Sequence, residues 1–389
     1  MARAIWKGAI SFGLVHIPVS LSAATSSQGI DFDWLDQRSM EPVGYKRVNK
    51  VTGKEIEREN IVKGVEYEKG RYVVLSEEEI RAAHPKSTQT IEIFAFVDSQ
   101  EIPLQHFDTP YYLVPDRRGG KVYALLRETL ERTGKVALAN VVLHTRQHLA
   151  LLRPLQDALV LITLRWPSQV RSLDGLELDE SVTEAKLDKR ELEMAKRLVE
   201  KEIERENIVK GVEYEKGRYV VLSEEEIRAA HPKSTQTIEI FAFVDSQEIP
   251  LQHFDTPYYL VPDRRGGKVY ALLRETLERT GKVALANVVL HTRQHLALLR
   301  PLQDALVLIT LRWPSQVRSL DGLELDESVT EAKLDKRELE MAKRLVEDMA
   351  SHWEPDEYKD SFSDKIMKLV EEKAAKGQLH AVEEEEEVA

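Results

Sequence analysis

Val136-Ala-Leu-Ala-Asn-Val-Val-Leu-His-Thr-Arg-Gln-His-Leu-Ala-Leu-Leu-Arg-Pro-Leu-Gln-Asp-Ala-Leu-Val-Leu-Ile-Thr-Leu164 carries the pattern from which the architecture follows. It reads as three strands, Val136–His144, Leu149–Leu152 and Ala158–Leu164, separated by short polar turns. Three strands with no helix between them predict an antiparallel barrel or sandwich. Upstream, Lys121–Arg132 places Val122, Leu125, Leu126 and Leu130 on one helical stripe, which Gly134 terminates. Before it lie Pro115-Asp-Arg-Arg-Gly-Gly120, a turn, and Tyr111–Val114, a strand. Thr90-Ile-Glu-Ile-Phe-Ala-Phe-Val97 alternates as a strand, and Gly70–Leu75 is a short β-branched strand. Ser76-Glu-Glu-Glu79 has the spacing of a capping box. Downstream, Asp188 and Glu191 cap a helix lined by Leu192, Ala195, Leu198 and Val199. The fold class is α+β.

Lys54–Glu200 recurs without a change as Lys201–Glu347, an offset of 147 residues. Natural solenoid repeats are units of about 20–50 residues that drift in sequence, so a perfect repeat of this length reads as a recent or deliberate duplication. Removing either run leaves the same chain of 242 residues. Four segments follow: 1–53, with apolar strands Ile5–Leu14 and Val15–Ser20 and a basic patch; 54–200, the first run; 201–347, the second; and 348–389, a helical arm with an acidic end. In the second run the closing helix, started by Asp335 and Glu338, is expected to continue through Val346, Met349 and Trp353. In the first run it meets Lys201-Glu-Ile-Glu-Arg-Glu-Asn207, good helix formers, and one continuous helix is expected. The same heptapeptide at Lys54–Asn60 follows a Thr-Gly turn and is expected to be non-helical. A second helix, Ser363 to about Lys376, carries Ile366, Leu369 and Val370 and stops at Gly377. Glu383–Glu387 reads as solvated and disordered.

Hydrophobic residues make up 42% and charged residues 31% of the chain, an ordinary globular composition. There is no cysteine, which excludes disulfides, thiolate zinc sites and thiol nucleophiles. No stretch approaches the roughly 18 apolar residues of a membrane span. The apolar N-terminus is broken by Lys7 and Gly8 and alternates as a core strand does, unlike a signal peptide. A cytoplasmic protein is expected.

Catalytic and metal constellations are weak. His144 and His148 have the spacing of two helical ligands, but Thr145 stands where a zincin needs Glu. On a strand the two rings would lie about 13 Å apart, so no metal site is expected. Asp116–Lys121 lacks phosphate-loop spacing. No nucleophile–base pair stands out, and the chain reads as a binding protein, not an enzyme. Charge is more informative. The total of −12 hides a basic block. Residues 116–171 carry ten Lys/Arg against four Asp/Glu, whereas 172–200 and 348–389 are acidic. The block holds Arg117, Arg118, Lys121, Arg127, Arg132, Lys135, Arg146, Arg153, Arg165 and Arg171. It recurs with Arg264, Arg265, Lys268, Arg274, Arg279 and Arg293. Lys46, Arg47 and Lys50 form a second patch, and Lys7 adds a cation on the first strand. Clustered cations suit a phosphate backbone bound without base reading; a solvated basic face is the competing reading.

Arg3-Ala-Ile-Trp-Lys-Gly-Ala-Ile-Ser-Phe-Gly-Leu-Val15 with Ile17-Pro-Val19 resembles the opening of bacterial Ku. Ile61-Val-Lys-Gly64, Glu66-Tyr67, Gly70–Leu75, Phe107-Asp-Thr-Pro-Tyr-Tyr-Leu-Val-Pro115 and Tyr358-Lys-Asp360 resemble the same family. The resemblance covers essentially the whole 242-residue unit. It implies a β-barrel core, a bridge over DNA and an α-helical C-terminal arm gripping a partner, here with an extra barrel and bridge segment. It implies a ring-forming homodimer, or a domain-swapped oligomer, that threads onto double-stranded DNA ends without sequence preference and recruits the ATP-dependent DNA ligase of bacterial non-homologous end joining at the nucleoid. The arm residues would be Trp353, Tyr358, Phe362, Ile366 and Leu369. No cofactor is implied. Some relatives have cysteines near Tyr45–Lys54, and many end in a Lys-rich extension; this chain has neither. With 54–200 doubled, only one run can use the single head, and the other is expected to expose strand edges. Two competing functional readings are a deliberately duplicated chain with impaired DNA threading and a hydrolase with an unrecognised metal.

Overall fold

The computed structural model describes residues 4–13, 15–26, 38, 44, 46–50, 52–83, 89–143, 146–176, 178–200, 211–215, 218–221, 237–263, 266–290 and 293–381. In chain order the head supplies β1 (Ala4–Phe12) and β2 (Val15–Ala23). The first run supplies β3 (Lys63–Glu68), β4 (Arg71–Leu75), α1 (Glu77–Ala83), β5 (Thr90–Asp98), β6 (Phe107–Pro115), α2 (Gly120–Thr133), β7 (Lys135–Leu143), β8 (Arg146–Leu155), β9 (Ala158–Leu164), α3 (Glu180–Thr183) and α4 (Lys189–Glu200). The second run repeats the series as β10 (Gly211–Glu215), β11 (Arg218–Val221), β12 (Glu239–Asp245), β13 (Phe254–Leu260), α5 (Gly267–Thr280), β14 (Lys282–Leu290), β15 (Arg293–Leu302), β16 (Ala305–Leu311), α6 (Glu327–Thr330) and α7 (Lys336–Asp348). The tail adds α8 (Ser361–Ala375) and β17 (His380–Ala381).

Local signals form as their chemistry requires. The Ser76 hydroxyl accepts from the Glu79 amide at 3.1 Å while the Glu79 carboxylate accepts from the Ser76 amide at 2.8 Å, the capping box in full. Gly134 sits at φ +67 and ends α2 in the left-handed conformation. Gly377 does the same just after α8, at φ +75. Residues 54–60 form a bridge at Glu55 and a single tight turn at Arg58–Asn60, not an α-helix.

The chain divides into two compact units that cut across the sequence segments: 1–102, 110–169 and 318–389 form one; 103–109 and 170–317 form the other. In the first unit the strands close a barrel in the order β1-β2-β6-β9-β8-β7-β5. β7, β8 and β9 pair antiparallel in continuous register, as their sequence predicts. Closure depends on the head. β1 runs parallel to the start of β5, with Ile10 beside Ile91, and β2 runs antiparallel to the end of β6, with Leu21 beside Leu113. Ile10, Ile17, Leu21, Ile91, Phe96 and Leu113 are fully buried in one core with Tyr123, Leu126 and Leu130 of α2. Each such side chain contributes about 1.5–3 kcal/mol.

In the second unit the same letters form an open five-stranded sheet, β12-β14-β15-β16-β13. Its registers copy the first, down to the bulge: Ala242 opposes Leu285 as Ala95 opposes Leu138. The expected exposed edges are present, because no head strand reaches β12 or β13 among the described residues. β10 and β11 pair with each other as a separate ribbon.

Each unit takes its arm from the other run. In the first, α2 packs against α6 and α7; in the second, α5 packs against α3 and α4. Lys121 reaches Glu338 at 2.6 Å, and Lys268 reaches Glu191 at 2.9 Å. The Tyr112 hydroxyl donates to the Arg318 carbonyl, and that of Tyr259 donates to the Arg171 carbonyl. Moving the first residue of each contact up by 147 and the second down by 147 turns the contact of one unit into that of the other. That reciprocity is what an exchange of identical arms produces.

The expected extension of α7 through Met349 and Trp353 is corrected. The helix ends at Asp348. The Phe96 amide donates to the Met349 carbonyl at 3.1 Å, and the Ser351 amide donates to the Phe96 carbonyl at 2.9 Å. The half of β5 that β1 leaves unpaired captures the chain in an isolated parallel bridge between Phe96 and Ala350, and its two backbone bonds replace further helix. α4 is described to Glu200; its expected continuation through 201–207, and the acidic run 383–387, lie outside the described residues.

Candidate nucleic-acid interface

The barrel ladders sort the basic block onto two ends. At one end stand the turn between β1 and β2, the end of β6, α2 and the β8–β9 turn. At the other stand the start of β1, the end of β2, the β7–β8 loop and the end of β9, as the registers Ala9–Thr90, Ile91–Val141, Leu143–Arg146 and Leu149–Leu164 require. Arg117, Arg118, Lys121, Arg127 and Arg132 belong to the first end; Lys7, Arg146 and Arg165 lie towards the second.

Most cations at the helical end are already paired. Arg117 lies 3.5 Å from Asp326, Lys121 bonds Glu338, and Arg132 bonds Glu128 at 2.7 Å. Arg127 is largely buried; it donates to the Gln156 carbonyl at 2.9 Å and meets Glu131 at 3.2 Å. Arg118 is exposed and makes no ion pair with a described residue. The carboxylates respond. The hydrogen bond from Lys121 holds Glu338 below its ordinary range, as that from Lys268 does for Glu191. The Ser328 amide lowers Asp326, with a smaller effect from Arg117. Arg117 and Lys121 are thus engaged by the acidic stretch of the second run, and Arg127 and Arg132 by carboxylates of α2 itself.

The other end differs. Lys7 and Arg146 are exposed and make no ion pair with a described residue. Arg153, further along β8 towards the β8–β9 turn at the helical end, is half-buried, and burial pushes its guanidinium pKa down. The patch after β2 is a small β-loop. Its turn at Gly53 (φ +67) is closed by the Gly53 amide donating to the Asn49 carbonyl at 2.8 Å, with Val48 bridged to Glu55. Lys46 pairs with Glu55 at 2.7 Å, while Arg47 and Lys50 are exposed. In the second unit, Lys268 is paired with Glu191, Arg279 bonds Glu275 at 2.7 Å, and Arg274 donates to the Gln303 carbonyl at 2.8 Å. Arg293 is exposed on β15. Arg264 and Arg265 lie outside the described residues, as does His144 of the histidine pair. Among the described residues no cluster of His, Asp and Glu could hold a metal, and no helix is long and apolar enough to cross a membrane.

The arm residues dock on the first unit. A bulge in β5 between Ile93 and Ala95 turns Phe94 outward, where it lies 5.8 Å from Tyr358, which in turn stacks on Trp353 at 4.8 Å. Glu101 accepts from the Trp353 amide at 2.8 Å, the main reason its carboxyl pKa is lowered, and also contacts His352. Phe362 opens α8 with its amide bonded to Asp360. Ile366 and Leu369 pack with Val370 on Val73 and Leu75 of the β3–β4 hairpin. Sequence reasoning missed Phe94 and Glu101 as the receiving surface. The alternation of β5 conceals a bulge, and nothing local marks Glu101.

The family model described as the Ku70/Ku80 beta-barrel domain matches twice, over residues 11–194 and 189–341. The Non-homologous end joining protein Ku of Pseudomonas aeruginosa is 62% identical over 389 residues, covering 100% of this chain and 83% of that protein. Its namesake in Pseudomonas syringae pv. tomato is 75% identical over 199 residues, 51% of this chain and 67% of that protein. That of Cupriavidus necator is 54% identical over 202 residues, 51% of this chain and 60% of that protein.

Proposed function

Because the chain belongs to the Ku family, we propose that it binds double-stranded DNA ends in non-homologous end joining, as a scaffold with no reaction of its own. The observation that carries the site is the contrast between the barrel's two ends. Lys7 and Arg146 are exposed and make no ion pair with a described residue, whereas the cations of α2 are mostly engaged by carboxylates. Exposed lysine and arginine gain from phosphate by releasing counterions, and a cation already bonded to carboxylate gains less. Arg47, Lys50, Arg118 and Arg293 extend the candidate set. The arm exchange that a homodimer would make between subunits is made here within one polypeptide, which supports a single chain doing the work of a dimer. Action at the nucleoid and the handing of ends to an ATP-dependent DNA ligase complete the proposal.

Competition binding separates this from the alternatives. Linear duplex DNA should displace a labelled linear duplex, while closed-circular DNA of the same sequence should not. Affinity should fall steeply with salt. Replacing Lys7 and Arg146 together by Ala should weaken binding about tenfold or more and flatten the logarithmic salt slope by about 0.9 for each phosphate no longer neutralised. Lys121→Ala should leave both nearly unchanged. Equal competition by circular DNA would remove end recognition, and an unchanged slope in the double variant would remove this site.

A further inference from the structure

In the first unit the β1–β2 hairpin bridges β5 to β6. Ala9, Ile10 and Ser11 lie beside Thr90, Ile91 and Glu92, and Val19 to Ala23 lie beside Pro115 to Tyr111. In the second unit, the strands equivalent to β5 and β6 stand at the two ends of an open sheet, and no described strand pairs with their outer edges. Both are shortened where the hairpin would bind. β5 begins at Thr90, but β12 begins at Glu239, the counterpart of Glu92; β6 ends at Pro115, but β13 ends at Leu260, the counterpart of Leu113. Burial changes at the same places. Ile91, Phe96 and Leu113 are fully buried, whereas Ile238, Phe243 and Leu260 are partly exposed, and Val261 is 51% exposed. The two acceptors have identical sequences, so the difference lies in the missing donor.

We propose that the sheet of the second unit is an acceptor site for a β-hairpin of the sequence Ala4–Ala23 presented by another polypeptide. Transposed by 147 residues, the observed register puts Ile10 beside Ile238, Leu21 beside Leu260 and Ser20 beside Val261. Two strand edges would gain main-chain ladders at once, and the apolar residues of the hairpin would enter a core lined by Ala284, Ala286, Leu299, Leu306 and Leu308. The chain's own head cannot serve, because it closes the barrel of the first unit. An isolated hairpin is marginally stable in water, so the incoming segment would fold as it docks. This inference is independent of DNA binding.

Hydrogen exchange on the full chain with the synthetic peptide Ala4–Ala24 tests it. Since the two runs are identical, the second needs mass tags, and Glu239→Asp and Tyr258→Phe mark β12 and β13. Addition of peptide should slow exchange in 239–245 and 254–260 by about tenfold or more, saturating at one peptide per chain. A peptide with Ile10→Asp and Leu21→Asp should have no effect. The proposal is overturned if the tagged strands do not respond at saturating peptide, or if both peptides act alike. It is also overturned if these strands already exchange as slowly as 90–98 and 107–115 without peptide. Protection that rises with chain concentration alone would assign the edges to a second copy's edges instead.

Discussion

Tyr123 and Tyr270 are the same residue in two surroundings. The Tyr123 hydroxyl donates to the Leu113 carbonyl at 2.7 Å and accepts from the Leu159 amide at 2.5 Å, tying β6 to β9 inside a closed core. Burial pushes its pKa far up. Tyr270 makes the equivalent bonds to Leu260 and Leu306, but in a half-open sheet. Tyr123→Phe should leave two buried backbone groups without partners and cost about 1–3 kcal/mol. Tyr270→Phe should cost distinctly less, because water can reach its partners; denaturant melts of the two variants give the comparison. Glu338 and Glu191 report on pH. Both carboxyls are held below their ordinary value of 4.5 by the paired lysines. The contribution of these pairs is therefore complete above about pH 4.5 and is lost as pH falls through the lower folded-state values. Limited proteolysis of α4 and α7 should quicken on acidification towards pH 3 and stay flat from pH 6 to 8.

Among the elements, what the chain spells locally is what it forms. The strand triplet, the Ser76 capping box, the Gly134 stop and the Asp335 cap were all legible, since each depends on residues within four positions. The end of α7 was not, because Phe96, some 250 residues away, competes for the backbone at Met349 and Ser351. The arms pack closely enough to exclude a methyl group. A Cβ on Gly120 would collide with Ser328, and one on Gly267 with Ser181. Gly120→Ala should displace α6 and lower stability by about 1–3 kcal/mol, visible as a lower thermal midpoint. Gly267→Ala should loosen α3 in the same way, and the two effects should add because the sites belong to different compact units.

For the complete polypeptide, reciprocity has a consequence for assembly. Each α2-type helix is covered by the arm of the other run, so the full chain can satisfy both exchanges alone. The 242-residue chain left by deleting 201–347 has one such helix and one arm. It should exchange arms with a second copy and sediment as a dimer, while the full chain sediments as a monomer at the same micromolar concentration. A monomeric shortened chain would mean that an arm can fold back on its own run. The basic block shows why the site was only partly legible. Counting charges finds the block along the chain, but Asp326 and Glu338, which engage Arg117 and Lys121, lie some two hundred residues away, so the count could not tell Arg146 from Lys121.

Strands, registers, caps and the repeat itself follow from the order of residues alone, because they arise between neighbours along the chain and reappear wherever the letters recur. Three features needed the folded molecule: one run closes as a barrel while the other stays open, the arms cross between runs, and some cations are paired with carboxylates while others make no ion pair with a described residue. Identical segments bury the same surface only when the same partners reach them, and here a single N-terminal hairpin reaches one of two equivalent acceptors.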